Sequence, residues 1–119
     1  MQKKTVRVVI ADDNADIRQT LRDILTEAGY IADTVKDGYE LVGYLKKNEP
    51  EVIVLDLMMP EKNGIEVFDC LKCIRPTSKV IIYTAFHKYE ASLFARIADR
   101  FVLKDASPQK LLDAIKELA

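Results

Sequence analysis

Residues 52–56 read Val52-Ile53-Val54-Leu55-Asp56, four β-branched or apolar residues that stop at a carboxylate. A strand with one wet face alternates apolar and polar residues; this run is apolar on both faces, and so is Val80-Ile81-Ile82-Tyr83. Strands of that kind belong to a parallel sheet covered by helices on both sides. Working outward, Val6 to Ala11, Ile31 to Val35, Val52 to Leu55, Val80 to Tyr83 and Phe101 to Leu103 are the strand candidates, and they alternate with longer stretches of helical period. Strand–helix–strand crossovers are almost always right-handed, so five such units predict an α/β fold with a doubly wound five-stranded parallel sheet.

The helical stretches carry their own stop signals. Ile17, Leu21, Ile24, Leu25 and Ala28 recur at helical spacing, with Gly29 where a C-terminal cap belongs. A second helix is expected from about Gly38 to Asn48 and a third from about Gly64 to Ile74, with Pro50 and Pro76 just beyond their ends. The last should open with Ser107 as N-cap and Pro108 at N1, then bury Leu111, Leu112, Ile115 and Leu118 as one stripe.

At 119 residues and 49% apolar, the chain has the size and composition of one domain, spanning residues 1–119, with its own core. The 18 Lys+Arg and 19 Asp+Glu nearly cancel, to a net charge of -1, which argues against direct nucleic-acid binding. No apolar run approaches the roughly 20 residues that span a bilayer, and Met1-Gln2-Lys3-Lys4 is not followed by the apolar segment of a secretory signal, so a cytoplasmic protein without membrane contact is expected. Cys70 and Cys73 have CxxC spacing, but no second pair accompanies them and His87 is the only histidine, so both read as thiols on a helix face without a function.

In a doubly wound sheet, ligands bind outside the carboxyl ends of the strands at a topological switch point. Here the first strand ends in Asp12-Asp13, the third in Asp56, the fourth in Thr84 and the fifth in Lys104. Taken singly these are bland: an Asp after a strand is commonly a helix cap, and a lone Lys is commonly a solvated charge. Taken together, three converging carboxylates need compensation, which a lysine and a hard divalent cation supply. Mg²⁺ takes oxygen ligands and keeps several waters, a carboxylate can act as a nucleophile toward phosphorus, and a threonine hydroxyl can bond a phosphoryl oxygen.

These segments resemble the receiver domains of two-component response regulators, including the single-domain chemotaxis type. The resemblance runs through Val8-Val9-Ile10-Ala11-Asp12-Asp13, Val54-Leu55-Asp56-Leu57-Met58-Met59-Pro60 with Asn63-Gly64, Tyr83-Thr84-Ala85 and Phe101-Val102-Leu103-Lys104, and so covers essentially the whole chain. It implies a flavodoxin-like sheet in strand order 2-1-3-4-5. It implies Asp56 as phosphoacceptor, Asp13 as a direct Mg²⁺ ligand, Asp12 as a ligand through water, the Met58 backbone carbonyl as a further ligand, and Thr84 and Lys104 in contact with the phosphoryl group. Thr84 and Phe101 would be the switch residues that change the surface of the fourth helix, fifth strand and fifth helix. The implied partners are a sensor histidine kinase or phosphotransfer protein upstream, and downstream a protein or an output domain outside the chain, with scope for a phosphorylation-dependent dimer. The implied activity is that of a phosphoacceptor signalling domain, not of a turnover enzyme. A free-standing receiver, a relay intermediate and a piece of a longer regulator all fit the sequence.

Three features depart from the family pattern. Asp105 follows Lys104 where most relatives have proline, so a trans bond and a somewhat different loop are expected, a form that some subfamilies share. Asp99-Arg100 replaces the small residues ahead of the switch aromatic and should place charge beside the output surface. Met58 and Phe86 stand where family members influence water access to the phosphoryl group, and neither can orient a water by hydrogen bonding. Slow self-dephosphorylation is therefore predicted, and Met58→Asn should shorten the phosphoryl lifetime; an unchanged decay in a timed phosphate-release assay would sink the idea.

Other readings are weaker. The segment Asp12-Asp13-Asn14-Ala15-Asp16 begins like a calcium loop, but Ile17 stands where Gly is needed and Asp23 where a bidentate Glu is needed. A phosphatase of the haloacid dehalogenase type would need a second Asp at the Met58 position. A binding module that works unphosphorylated usually lacks an acidic or lysine position that this chain keeps. His87 as a phosphate relay residue is outweighed by an ordinary solvated side chain.

Overall fold

A computed structural model describes residues 5–56, 71, 73–85, 98–104 and 107–119. Within them the strands are β1 (Arg7–Ala11), β2 (Ile31–Val35), β3 (Val52–Leu55), β4 (Lys79–Thr84) and β5 (Arg100–Leu103). All pair in parallel, in the order β2-β1-β3-β4-β5. The strand order and the doubly wound α/β fold are as expected. Relative to the expected bounds, β1 starts one residue later, at Arg7, although the Val6 carbonyl still accepts the Ile31 N–H at 3.0 Å, whereas β4 and β5 take in Lys79, Thr84 and Arg100. Polar ends can join a ladder because pairing uses backbone groups alone.

The described helices are α1 (Ala15–Glu27), α2 (Gly38–Lys47) and α3 (Pro108–Leu118), with helical Leu71, Cys73 and Ile74 at the end of the expected third stretch. Helix α1 ends as its sequence requires: Gly29 takes φ 97°, its N–H reaches Thr26 O at 3.0 Å and the Tyr30 N–H reaches Leu25 O at 3.0 Å. That pair of bonds is a Schellman closure, which favours glycine because a Cβ is strained at positive φ. At α3, Ser107 occupies the N-cap position as expected, but its side chain makes no capping bond; its carbonyl accepts from the Lys110 N–H at 3.0 Å. Pro108 at N1 has no N–H, so one of the donors a cap would serve is absent.

Alternate strand residues supply two cores, one per sheet face. Val9, Ile53, Leu55 and Ile82 pack with Leu41 and Leu45 of α2. Val8, Ile10, Val54 and Ile81 pack with Leu21 and Leu25 of α1 and Leu111 and Ile115 of α3. Both faces being covered, β3 is buried at all four residues, which is the reason its sequence does not alternate.

At the sheet edge, Arg7 Nη1 and the Tyr44 hydroxyl both donate to Asp33 Oδ2 at 2.7 Å, tying α2 to β1 and β2. Burial and the bond to Asp33 push the Tyr44 phenol up to about 12 from 10.0. A raised phenol pKa favours the protonated form in the folded state, so this contribution is complete below pH 10 and lost as pH rises through about 12. Tyr44→Phe should cost about 1 kcal/mol at neutral pH and remove that alkaline loss. Urea unfolding at pH 7 and pH 11 checks both parts, and equal stability of the two proteins at pH 7 would refute the clamp.

Asp99, half-buried, stands directly ahead of β5. Its carboxylate turns to the sheet and accepts the Val80 N–H at 2.8 Å, and its own N–H reaches Val80 O at 2.9 Å. Arg100 stays exposed and pairs with Glu117 of α3 at 3.2 Å. A carboxylate beside a strand-end N–H gains a charge-assisted bond that it would forgo by facing water.

Candidate functional site

The parallel ladders run one residue past the strands and thereby align the site. The Asp12 N–H donates to Val35 O at 3.2 Å, the Asp56 N–H to Ala11 O at 3.0 Å and the Lys104 N–H to Thr84 O at 2.9 Å. Asp12 and Asp56 therefore flank the gap between β1 and β3, where the chain connection reverses direction across the sheet. This is the switch point at which the fold places ligands.

Asn14, part of the calcium-like run Asp12 to Asp16 in the sequence, decides the role of its neighbours. It is the N-cap of α1 and accepts from the N–H groups of Asp16 at 2.9 Å and Ile17 at 3.1 Å. Capping is thus done by Asn14 and not by Asp12 or Asp13, which removes the bland explanation for that acidic pair. The signal was present in the sequence, an Asn just ahead of the apolar repeat that begins at Ile17. Asp12 Oδ1 accepts the Asn14 N–H at 2.9 Å, and Arg18, unforeseen in the sequence, donates from Nη1 to the Asp12 carbonyl at 2.8 Å. Both bonds set the turn that aims Asp12 into the gap.

Asp12, Asp13 and Asp56 each offer a carboxylate oxygen within 4.8 Å of the others. Asp12 is 2% exposed and Asp56 6%, whereas Asp13 lies at the surface. That spacing, all-oxygen donor set and open side suit a hard divalent cation that keeps part of its water shell. Lys104 supplies the compensating charge: its Nζ lies 2.5 Å from Asp12 Oδ2 and 2.8 Å from Asp56 Oδ2. Burial works against a charged amine, but the hydrogen bonds to Asp12 and Asp56 outweigh it and raise the Lys104 pKa above its usual value. The ammonium is therefore charged at neutral pH.

Thr84 is fully buried at the end of β4, paired across the ladder with Leu103. Phe101 is half-buried at the start of β5 and packs against the core on the α2 face. The structure thus brings together Asp12, Asp13, Asp56 and Lys104, with Thr84 on the adjoining strand end. Met58, Phe86, His87, Asp105 and Cys70 lie outside the described residues, and Cys73 is exposed. Among the described residues, no helix is long and apolar enough to cross a membrane.

Comparison with known proteins agrees with this geometry. The chemotaxis protein CheY of Thermotoga maritima is 33% identical over 117 residues, covering 95% of this chain and 97% of that one. The crystal structure of response regulator TrrA of Thermotoga maritima, in complex with Mg²⁺-BeF, superposes with a TM-score of 0.90 at 30% identity, covering 97% of this chain and all of that one. TrrA in complex with the histidine kinase ThkA matches with a TM-score of 0.87 at 29% identity, over 96% of this chain and 98% of that one. The family model for the response regulator receiver domain matches residues 8–116. With the strand order, the acidic gap and the bridging lysine in place, the chain belongs to the response regulator receiver domain family, a signalling domain of two-component systems.

Proposed function

We propose that residues 1–119 act as one receiver unit that takes a phosphoryl group on Asp56 from a phosphohistidine of a sensor kinase or phosphotransfer protein. The observation that carries this is Lys104 Nζ bridging Asp12 and Asp56, at 2.5 and 2.8 Å, inside a buried carboxylate cluster at the switch point. A carboxylate oxygen of Asp56 attacks phosphorus and forms the acyl phosphate bond. The phosphorus–nitrogen bond of the donor breaks, its electron pair stays on the imidazole, and a proton from solvent neutralises that ring. Lys104 remains within reach of Asp56 and offsets the charge that arrives, and the Thr84 hydroxyl donates to a phosphoryl oxygen.

Asp12, Asp13, Asp56 and the Met58 carbonyl would hold Mg²⁺, which when bound neutralises charge on the transferring group and orients it. The kinase complex of TrrA supports a histidine kinase as donor. Thr84 and Phe101 would carry the change to a downstream protein, to a second copy or to an output domain, and the site of action would be the cytoplasm. The test is intact mass after incubation with acetyl phosphate, with and without Mg²⁺. A Mg²⁺-dependent gain of one phosphoryl group is expected; no gain under conditions that label a known receiver would favour a module that binds its partner without phosphorylation.

A further inference from the structure

Tyr83 takes no part in the chemistry above, yet it lies against the cation at the centre of that chemistry. The Lys104 Nζ is 5.9 Å from the centroid of the Tyr83 ring. Tyr83 is 6% exposed and the Lys104 side chain 14%, so the contact is shielded from water on most sides. An ammonium at this distance is attracted by the negative face of an aromatic ring, and more strongly when both are desolvated. The backbone reinforces the placement, because the Lys104 N–H is held by the carbonyl of Thr84, the next residue along β4.

The rest of β4 shows that packing alone does not call for an aromatic here. Val80, Ile81 and Ile82 fill their core positions with aliphatic side chains. A leucine at position 83 would fill the same apolar cluster beside Val102 and Leu111 but would present no charged face to Lys104. Burial raises the Tyr83 phenol against the pull of Lys104, which keeps the ring neutral at physiological pH.

We propose that Tyr83 is a positioning residue for phosphoryl transfer, its ring holding the Lys104 ammonium beside Asp56 while the charge facing that ammonium changes. Asp12 and Asp56 draw Lys104 into the gap; a cation that shares their charge weakens that pull, and the anionic phosphoryl group strengthens it again when it arrives. The ring is a fixed attraction that does not change during the reaction. The inference rests on Asp56 being the phosphoacceptor, as proposed above.

Two variants and two readouts test it. In lysine-selective NMR, the ε-methylene protons of Lys104 should show a ring-current shift in the wild type and in Tyr83→Phe, and lose it in Tyr83→Leu. In acetyl phosphate labelling at saturating Mg²⁺, Tyr83→Phe should match the wild type and Tyr83→Leu should be roughly three- to tenfold slower. Rescue by phenylalanine separates a ring effect from one of the hydroxyl. Wild-type labelling speed in Tyr83→Leu, or equal slowing in both variants, would overturn the proposal. A wild type that cannot be labelled would instead overturn Asp56 as acceptor, while the NMR shift still decides whether ring and ammonium are in contact.

Discussion

Asp56→Asn is expected to abolish phosphoryl uptake from acetyl phosphate while leaving the protein folded. An amide has the shape of a carboxylate but not its nucleophilic charge, so no acyl phosphate bond can form at that position. The fold should survive because the asparagine carbonyl can still accept from Lys104 Nζ, which lies 2.8 Å from Asp56 Oδ2. One negative charge also leaves a cluster whose carboxylate oxygens lie within 4.8 Å, so stability should change by no more than about 1 kcal/mol. Omitting Mg²⁺ from the wild type should slow labelling by ~100-fold, since metal neutralisation of a phosphoryl transition state contributes several kcal/mol. Intact mass decides between outcomes: full labelling of Asp56→Asn would mean that another group is the acceptor and would overturn the roles given to Lys104 and Thr84 as well.

The second large effect falls on stability. Lys104→Met removes the cation that, among the described residues, lies between Asp12 and Asp56, whose side chains are 3% and 7% exposed. Removing one partner of a buried ion pair costs about 3 kcal/mol or more, because the charges left behind can neither be hydrated nor paired. The deficit should appear in urea unfolding at neutral pH in the absence of divalent ions. Mg²⁺ should then stabilise Lys104→Met more than the wild type, since in the variant the ion supplies compensation that lysine already provides in the parent. Binding to the folded state alone adds about 2.7 kcal/mol at one hundred times Kd, enough to recover most of the loss. Equal stability of variant and parent without Mg²⁺, or equal stabilisation by Mg²⁺, would show that Lys104 is not the counter-charge of the cluster.

The positive patterning of the chain carried much of this site into view. Strand ends can be found from sequence because a run such as Val52 to Leu55 stops being apolar where it leaves the sheet, and the residues after it then occupy the edge where ligands bind. Asp12, Asp56 and Thr84 were located in that way, and each is buried at its strand end. The helix caps were less legible. Ser107 stands at the N-cap of α3 without a side-chain capping bond, while Asn14, which the sequence shows only within a calcium-like run, caps α1. Several residues near a helix start are chemically able to cap, and which one does so depends on the angle at which the chain leaves the preceding strand.

By itself, the sequence determined the alternation of strands and helices, the parallel doubly wound sheet, and the identities of the groups at the strand ends. These follow from periodicity, apolar runs and turn residues, all of which act over a few neighbours along the chain. Only the tertiary structure decided that Lys104 joins Asp12 and Asp56, 92 and 48 residues away, that Asp99 reaches back 19 residues to Val80, and that Tyr83 lies against the Lys104 ammonium. Electrostatic and aromatic contacts depend on distances of a few ångströms in space, and those distances are set by packing of the whole sheet and not by any local run of residues.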